Sequence, residues 1–352
     1  MYAAPRRRMG RPMDRPACLT GLGGPMKNLR MLFAAAALVV SAPAIAQTKW
    51  DMHVSWPPNN FHTRNALAFA EAVKQRTQGR VEITVHSGGA LGLKGPEVLR
   101  AVRDGIVPIA ESFLSQQAGD VPFLSIETMP FLVRSPEELS TLYRISQPRM
   151  ETVLASYNQK LLYLAPWPSQ MIFTRNPVAT IADFKGLRIR VTDRNNGEMM
   201  GALGMVPISV PFSDLIPALA AGAVGGVQTS APTAVDSKLW EFLKHALHTN
   251  HTWASNMVTV NLDRWKALTP ADQKIIEDTA RELQPTFWQA SATADQDGQK
   301  MIAAQGIKVS PTDPAVLAEM EKATRPMWDR FMTRVPEAAP VIEQYLAAVG
   351  RK

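Results

Sequence analysis

Residues 181–191 read Ile-Ala-Asp-Phe-Lys-Gly-Leu-Arg-Ile-Arg-Val, a polar turn followed by a short alternating segment. The turn begins at Asp183, and the chain pivots at Gly186. Strict alternation of apolar and basic residues places the two kinds of side chain on opposite faces of a β-strand. Arg188 and Arg190 therefore share one face. The segment predicts a strand with one apolar face and one basic face.

The basic face of this strand has two interpretations that the segment alone leaves open. An arginine at a strand end presents five fixed donors and can grip a carboxylate with two parallel hydrogen bonds. Alternatively, the strand lies at the surface or at a sheet edge, and both arginines are solvated. The sequence on either side of the strand favours the first interpretation.

Four blocks of sequence flank this strand in a characteristic order. They are residues 166–170 before it, and residues 202–207, 210–215 and 218–227 after it. In this order the chain resembles the extracytoplasmic solute-binding subunits of tripartite ATP-independent periplasmic (TRAP) transporters, the DctP-like family. The resemblance extends from about Trp50 to Leu283, and residues 167–230 are its specific part. It implies a two-lobed α/β periplasmic binding protein fold, with a ligand cleft between the lobes and a helical C-terminal region bridging them.

The resemblance also implies which residues bind the ligand. Arg190, the second arginine of the motif, corresponds to the family's carboxylate-binding arginine, and Arg188 on the same face is the alternative. Gln170 stands where some members have a further arginine, so a second strong anion clamp and sialic-acid-type ligands are disfavoured. Phe212 stands at the family's apolar wall, although it could instead pack in the core.

Further candidate ligand-binding residues come from both lobes. The same block of the resemblance contributes Trp167, Thr229 and Ser230. The other lobe contributes side chains at strand ends or in adjoining loops: Trp56, Phe61, His86 and Glu111. Trp56 and Phe61 could stack on an apolar ligand body.

The first 46 residues have the features of a leader. A short basic region at residues 26–30 precedes an apolar run of about ten residues and the small-residue triplet Ala44-Ile45-Ala46. This pattern predicts a secretory signal peptide that starts at Met26 and is cleaved after Ala46, which places the protein in the periplasm. The apolar run is too short to span a bilayer, which requires roughly 20 helical residues.

Charge and cysteine content narrow the function once this leader is set apart. Seven of the 38 basic residues and one of the 31 acidic residues lie in the leader, so the remainder is almost neutral. The apparent isoelectric point of 9.6 is therefore no argument for nucleic-acid binding. The only cysteine, Cys18, also lies in the leader, which excludes disulfides, thiol catalysis and cysteine metal sites from the mature chain.

Alternating strand and helix patterns predict parallel sheets covered by helices. The predicted strands are residues 49–54, 81–86, 106–111, 123–129, 161–166, 172–174, 187–191, 205–208, 226–229 and parts of 246–260. The predicted helices are residues 62–78, 95–104, 196–203, 213–221, one capped by Ser135 and one beginning at Thr269-Pro270. Pro285 should kink or break the last of these.

The 352 residues can form two domains of ordinary size. The predicted lobe I comprises residues 47–167 with about 256–295, and the predicted lobe II comprises residues 168–255 with about 296–352. The chain should cross between the lobes near Trp167 and near Ser255.

No catalytic motif is present, and no cofactor is expected. His245, His248 and His251 are spaced three apart, but no carboxylate is spaced with them, so a metal site is disfavoured. Some members of the family that bind 2-oxo acids with a metal carry Glu-Trp where this chain has Gln228-Thr229, and this replacement does not favour a cation either.

The combined prediction is a monomeric binding protein, not an enzyme, that captures a small organic monocarboxylate and delivers it to the membrane subunits of a TRAP transporter. The aromatic residues near the cleft favour an aromatic or apolar ligand. The alternatives are the binding protein of an ATP-driven transporter, a secreted enzyme acting on a carboxylate substrate, and a ligand-presenting subunit of a sensor system.

Overall fold

The computed structural model describes residues 47–351, and the predicted leader with its cleavage site lies outside them. Residues 47–351 form eleven strands: β1 (Thr48–His53), β2 (Val81–His86), β3 (Ile109–Phe113), β4 (Gln159–Trp167), β5 (Met171–Thr174), β6 (Arg188–Val191), β7 (Val206–Ser209), β8 (Gly226–Thr229), β9 (His245–His248), β10 (Ala254–Asn261) and β11 (Lys308–Pro311).

The same residues form eleven α-helices: α1 (Phe61–Arg76), α2 (Val98–Arg103), α3 (Pro136–Ser156), α4 (Arg194–Ala202), α5 (Leu215–Ala220), α6 (Ala231–Asp236), α7 (Leu262–Lys266), α8 (Pro270–Ala304), α9 (Pro314–Thr324), α10 (Pro326–Arg334) and α11 (Ala339–Ala348). Short 3₁₀ helices include Leu114–Gly119, Pro122–Thr128 and Phe212–Asp214.

The strands form two mixed sheets, and each sheet organises one lobe. The sheet of lobe I has the order β2-β1-β3-β10-β4, and the sheet of lobe II has the order β11-β9-β5-β8-β6-β7. In lobe I, β10 runs antiparallel to β3 and β4, whereas β1 is parallel to its neighbours. The prediction of a two-lobed α/β fold is confirmed by this architecture.

Two segments of the central region carry the chain between the sheets. The first connects the end of β4 at Trp167 to the start of β5 at Met171, and the second connects the end of β9 at His248 to the start of β10 at Ala254. The two crossings lie side by side, because Trp167 and Ala254 are paired in the sheet of lobe I. Residues 168–170 are therefore held where the lobes meet.

The alternating strand lies inside the sheet of lobe II. β6 is parallel to β8 on one side and to β7 on the other. Ile189 is fully buried and Arg188 is exposed, whereas Arg190 is only 2% exposed. The two arginines therefore differ in environment despite sharing a strand face, because Arg188 begins the strand and Arg190 lies further along it.

Helix α8 is a 35-residue helix that packs against both lobes. It contacts α1 and β4 of lobe I and α6 of lobe II, as the predicted bridging region requires. Pro285 was predicted to kink or break this helix, and the break does not occur, since the helix continues through that residue. The missing N–H of proline removes one hydrogen bond, and contacts with α1, β4 and α6 hold the helix along its length.

Two further local predictions need correction. Residues 123–129 do not form a strand: residues 123–128 belong to the 3₁₀ helix Pro122–Thr128, whose first position is a proline, and Met129 is its C-cap residue. A short buried apolar run of this kind does not distinguish a strand from a helical segment. The predicted helix at residues 95–104 begins as a 3₁₀ turn, Gly95–Glu97, before α2.

The predicted start of α3 agrees with the structure. Ser135 is the N-cap residue, its side chain accepts a hydrogen bond from the Glu138 N–H, and Pro136 follows at the first helical position.

Candidate ligand-binding site

Arg190 is held in place by backbone carbonyl groups. Its Nε donates to the carbonyl of Val210 at 3.0 Å, and its Nη1 donates to the carbonyl of Gln228 at 3.3 Å. No residue within 47–351 accepts a hydrogen bond from Nη2. Burial lowers the pKa of the guanidinium to about 10, which leaves it charged at neutral pH. Arg190 therefore presents a positive charge with unused donors.

A small cavity of about 20 Å³ lies against this guanidinium. Its lining combines hydroxyl, amide and aromatic groups: Trp56, Phe113, Gln116, Trp167, Gln170, Arg190, Thr192, Thr229, Ser230 and Thr233. A volume of this size has room for about one water molecule. The predicted residues Trp56, Trp167, Gln170, Thr229 and Ser230 are thus brought together around Arg190.

A second cavity of about 200 Å³ shares Trp56, Phe113 and Gln116 with the first. Its lining includes the predicted residues Glu111 and Phe212. The two cavities together form the candidate site; the cavity against Arg190 is called the inner cavity, and the cavity lined by Phe212 is called the outer cavity.

Aromatic side chains from both lobes pack across this site. The ring of Trp56 from lobe I meets the ring of Phe212 from lobe II edge to face, with centroids 5.1 Å apart. Trp56 also meets Trp167 at 4.6 Å, and the indole N–H of Trp167 donates to Asn256 Oδ1 at 2.9 Å. These contacts form an apolar wall whose two halves belong to different lobes.

Glu111 lines the outer cavity, and its carboxylate is buried beside it. It is only 2% exposed, and its Oε1 lies 2.9 Å from Nδ1 of His62. Its Oε2 has no hydrogen-bond partner among the described residues. A buried carboxylate oxygen without a partner carries a desolvation cost unless a donor reaches it.

Polar contacts between the lobes surround the site. Lys94 and Asp214 form an ion pair at 2.9 Å, and Gln116 Nε2 donates to the carbonyl of Thr192 at 3.3 Å. Ser115 Oγ donates to Asp193 Oδ2 at 3.1 Å. The lobes are closed on one another at the site.

Two predicted site residues lie outside both cavities. Phe61 is buried behind Trp167, with ring centroids 5.1 Å apart, and it lines a separate groove beside α8. His86 lies at the end of an outer strand, where its Nε2 is 2.7 Å from Asp51 Oδ1.

Four residues that line the inner cavity were not among the predicted ones: Phe113, Gln116, Thr192 and Thr233. Thr192 could have been predicted from the sequence, since it follows Arg190 by two positions and alternation places it on the same face of the chain. Gln116 had none, because it lies in the 3₁₀ helix after β3 and only the tertiary fold brings it to the site.

The three spaced histidines do not gather around a common point. Within residues 47–351, no group of three or more histidine, cysteine, aspartate or glutamate side chains is placed to hold a metal ion. His251 is buried, its Nδ1 is 2.6 Å from Thr249 Oγ1, and burial lowers its pKa to about 3.

The closed two-lobed fold with a buried arginine defines the class as a solute-binding protein. Residues 52–334 match the model of the bacterial extracellular solute-binding protein family 7, DctP. The chain belongs to this family. Family members and structural neighbours are solute-binding receptors, which confirms the prediction of a binding protein that is not an enzyme.

Solved structures and curated proteins of the family are similar over most of the chain. A TRAP solute-binding protein from a marine metagenome, specific for pyroglutamate, is 31% identical with a TM-score of 0.82. The Bordetella pertussis receptor DctP7, which binds pyroglutamic acid, is 29% identical with a TM-score of 0.82. Each match covers 85% of this chain and 99% of the other.

A curated relative is more distant in sequence. The C4-dicarboxylate-binding periplasmic protein DctP of Rhodobacter capsulatus is 27% identical over 86% of this chain and 89% of its own. In the part of the chain that the structure describes, no helix has the length and apolarity needed to cross a membrane.

Proposed function

We propose that this chain is the periplasmic substrate-binding subunit of a TRAP-type transporter, and that it captures a compact monocarboxylate and delivers it to the membrane permease. The observation that carries the proposal is the buried guanidinium of Arg190, whose Nη2 is unused beside a cavity lined by neutral side chains. Among the described residues that line the two cavities, Arg190 is the only arginine, and one fixed cation matches a single carboxylate.

The chemistry of the outer cavity narrows the ligand further. A compact uncharged body would lie against the apolar wall of Trp56 and Phe212, in the outer cavity that Glu111 also lines. Pyroglutamate combines one carboxylate, a small ring and one lactam N–H. Two similar structures bind pyroglutamate or pyroglutamic acid, which makes it the first ligand to test.

Ligand entry requires the lobes to open, because the inner cavity has room for about one water molecule. Opening would separate Trp56 from Phe212 and Lys94 from Asp214, and ligand contacts from both lobes would favour reclosure. Small-angle scattering should show a smaller radius of gyration with saturating ligand. An unchanged radius would contradict the hinge motion.

The site predicts a clear outcome for a thermal-shift screen of organic acids. A ligand at about 100 times its Kd adds about 2.7 kcal/mol to stability. Pyroglutamate and other compact monocarboxylates should raise the Tm more than C4-dicarboxylates or sialic acid. A response confined to dicarboxylates or sialic acid would overturn the proposed ligand class.

The proposed location and state of the protein have separate tests. The exported form should begin at Gln47, and N-terminal sequencing of the periplasmic fraction tests this directly. It should also be a monomer, which size-exclusion chromatography with light scattering tests. Finding Met1 or Met26 on the abundant form would contradict the proposed export.

A further inference from the structure

Two glutamine side chains behind the carboxylate site form a continuous line of hydrogen bonds. Gln228 lies fully buried on β8, and Gln170 lies buried in the crossing between β4 and β5. Gln228 Oε1 accepts from the backbone N–H of Thr192 at 3.2 Å, and Gln228 Nε2 donates to Gln170 Oε1 at 3.0 Å. Gln170 Nε2 in turn donates to the carbonyl of Pro168 at 3.1 Å.

Backbone groups at both ends determine the orientation of the two amides. The N–H of Thr192 can only donate, so the atom of Gln228 that faces it must be the oxygen. Gln228 Nε2 then faces Gln170 as a donor, so the atom of Gln170 that accepts this hydrogen bond must be its oxygen, Oε1. This turns Nε2 of Gln170 toward the carbonyl of Pro168, which can only accept. Reversing either amide would leave buried polar groups unpaired.

The fixed orientation has a consequence for the ligand. Gln170 lines the inner cavity together with Arg190, and its Nε2 has a second N–H that no described residue uses. Nη2 of Arg190 also offers only donors. A carboxylate carries only acceptors and satisfies both residues, whereas a carboxamide brings an NH₂ group that meets a donor on one side.

We infer that Gln228 is a positioning residue that holds Gln170 as a hydrogen-bond donor, so that the site selects a carboxylate over the corresponding carboxamide. This inference rests on the proposed function, because it concerns the same site and an acidic ligand. Gln228 acts through Gln170, since it is not among the residues that line either cavity.

The probes for the test are L-pyroglutamate and its primary amide, L-pyroglutamamide. Gln228→Met keeps a side chain of similar length and the backbone carbonyl that Arg190 uses, but it frees Gln170 to rotate. The Kd for L-pyroglutamamide divided by the Kd for L-pyroglutamate should then fall by about tenfold or more, which is the effect of one mismatched hydrogen bond. The affinity for the amide should stay unchanged or improve.

A matched control removes a buried glutamine elsewhere. Gln159 on β4 donates to the carbonyl of Leu99 at 2.7 Å and accepts from Thr259 Oγ1 at 2.6 Å, and it lines neither cavity. Gln159→Met should lower stability without changing the ratio. An unchanged ratio in Gln228→Met, or an equal fall in Gln159→Met, would overturn the inference.

A ligand-free measurement separates this inference from the proposed function. In protein with ¹⁵N-labelled glutamine, the Gln170 side-chain amide should give one pair of signals in the wild type. It should give two pairs, or one broadened pair, in Gln228→Met. If the wild type binds neither probe, the proposed ligand is wrong, and the amide signals still decide the role of Gln228. A single sharp pair in both proteins would contradict that role.

Discussion

Nε of Arg190 donates to the backbone carbonyl of Val210 at 3.0 Å, and this bond joins the carboxylate site to the apolar wall. Val210 lies two residues before Phe212, whose ring packs against Trp56 of the opposite lobe. The arginine therefore does more than present a charge. It also restrains the loop whose aromatic side chain lines the outer cavity.

Phe212→Ala should weaken ligand binding while leaving the fold intact. The substitution removes the edge-to-face contact with Trp56, and such aromatic pairs contribute about 0.5–1.5 kcal/mol beyond their buried area. The Kd measured by calorimetry should rise by about twofold to more than tenfold. Ile216→Ala is the control, since Ile216 is 37% exposed and lines neither cavity. An equal loss in both variants would contradict the role of Phe212.

The ion pair between Lys94 and Asp214 should make only a small contribution to closure. Both side chains are about half exposed, at 52% and 44%, and exposed pairs typically contribute about 0.2–1 kcal/mol. A double-mutant cycle with Lys94→Ala and Asp214→Ala should therefore show a small coupling in ligand affinity that weakens with added salt. A coupling above about 2 kcal/mol, or one unaffected by salt, would contradict the small contribution of this ion pair to closure.

A buried acid should make the stability of the protein depend on pH. Glu127 accepts hydrogen bonds from the N–H of Ser255 at 2.8 Å and from the hydroxyl of Tyr143, and burial raises its pKa to about 8. An unfolded glutamate loses its proton near pH 4.5, so the folded state binds one more proton between these values. The contribution of Glu127 is fully present below pH 4.5 and is lost as the pH rises toward 8.

Glu127→Gln should therefore remove part of this pH dependence. The amide resembles the protonated acid, so the free energy of unfolding should fall less steeply between pH 5 and pH 8, by up to about 1.4 kcal/mol per pH unit. Urea denaturation at several pH values measures the slope. The exposed residue Glu71 supplies the control, and Glu71→Gln should keep the wild-type slope. A wild-type slope in Glu127→Gln would show that Glu127 is ionised in the folded protein.

Local patterns predicted much of the fold and of the inner cavity. The alternation around Gly186 located β6, and the resemblance in residues 167–230 pointed to Arg190 and Gln170, which line one cavity. Alternation could not separate Arg190 from Arg188, because both share a strand face. Burial separates them, and burial depends on the neighbouring strands β7 and β8.

Contacts between segments that are distant in the chain could not be predicted from the sequence, for a physical reason. The line from Thr192 through Gln228 to Gln170 depends on strand order in lobe II, where β8 lies between β5 and β6. Nothing local to these residues encodes that order. The error at residues 123–129 arose because a short buried apolar run does not distinguish a strand from a helical segment. At Pro285 the helix continues against the local preference of proline.

Calorimetry on Arg190→Ala, beside Arg190→Lys and Arg188→Ala, measures how much Arg190 contributes to binding the carboxylate. Losing a buried arginine that holds a carboxylate costs roughly 2–5 kcal/mol, so Arg190→Ala should bind roughly 30-fold to several thousand-fold more weakly. Arg190→Lys should recover only part of the affinity, because an ammonium lacks the two-pronged geometry. Exposed Arg188 should be dispensable.

Circular dichroism must accompany these titrations, because Arg190→Ala leaves the carbonyls of Val210 and Gln228 without their donor. With all three variants folded, binding should be severely weakened in Arg190→Ala, partly weakened in Arg190→Lys and near normal in Arg188→Ala. Near-normal affinity in folded Arg190→Ala, or a larger loss in Arg188→Ala, would contradict the assignment of Arg190 as the carboxylate-binding residue.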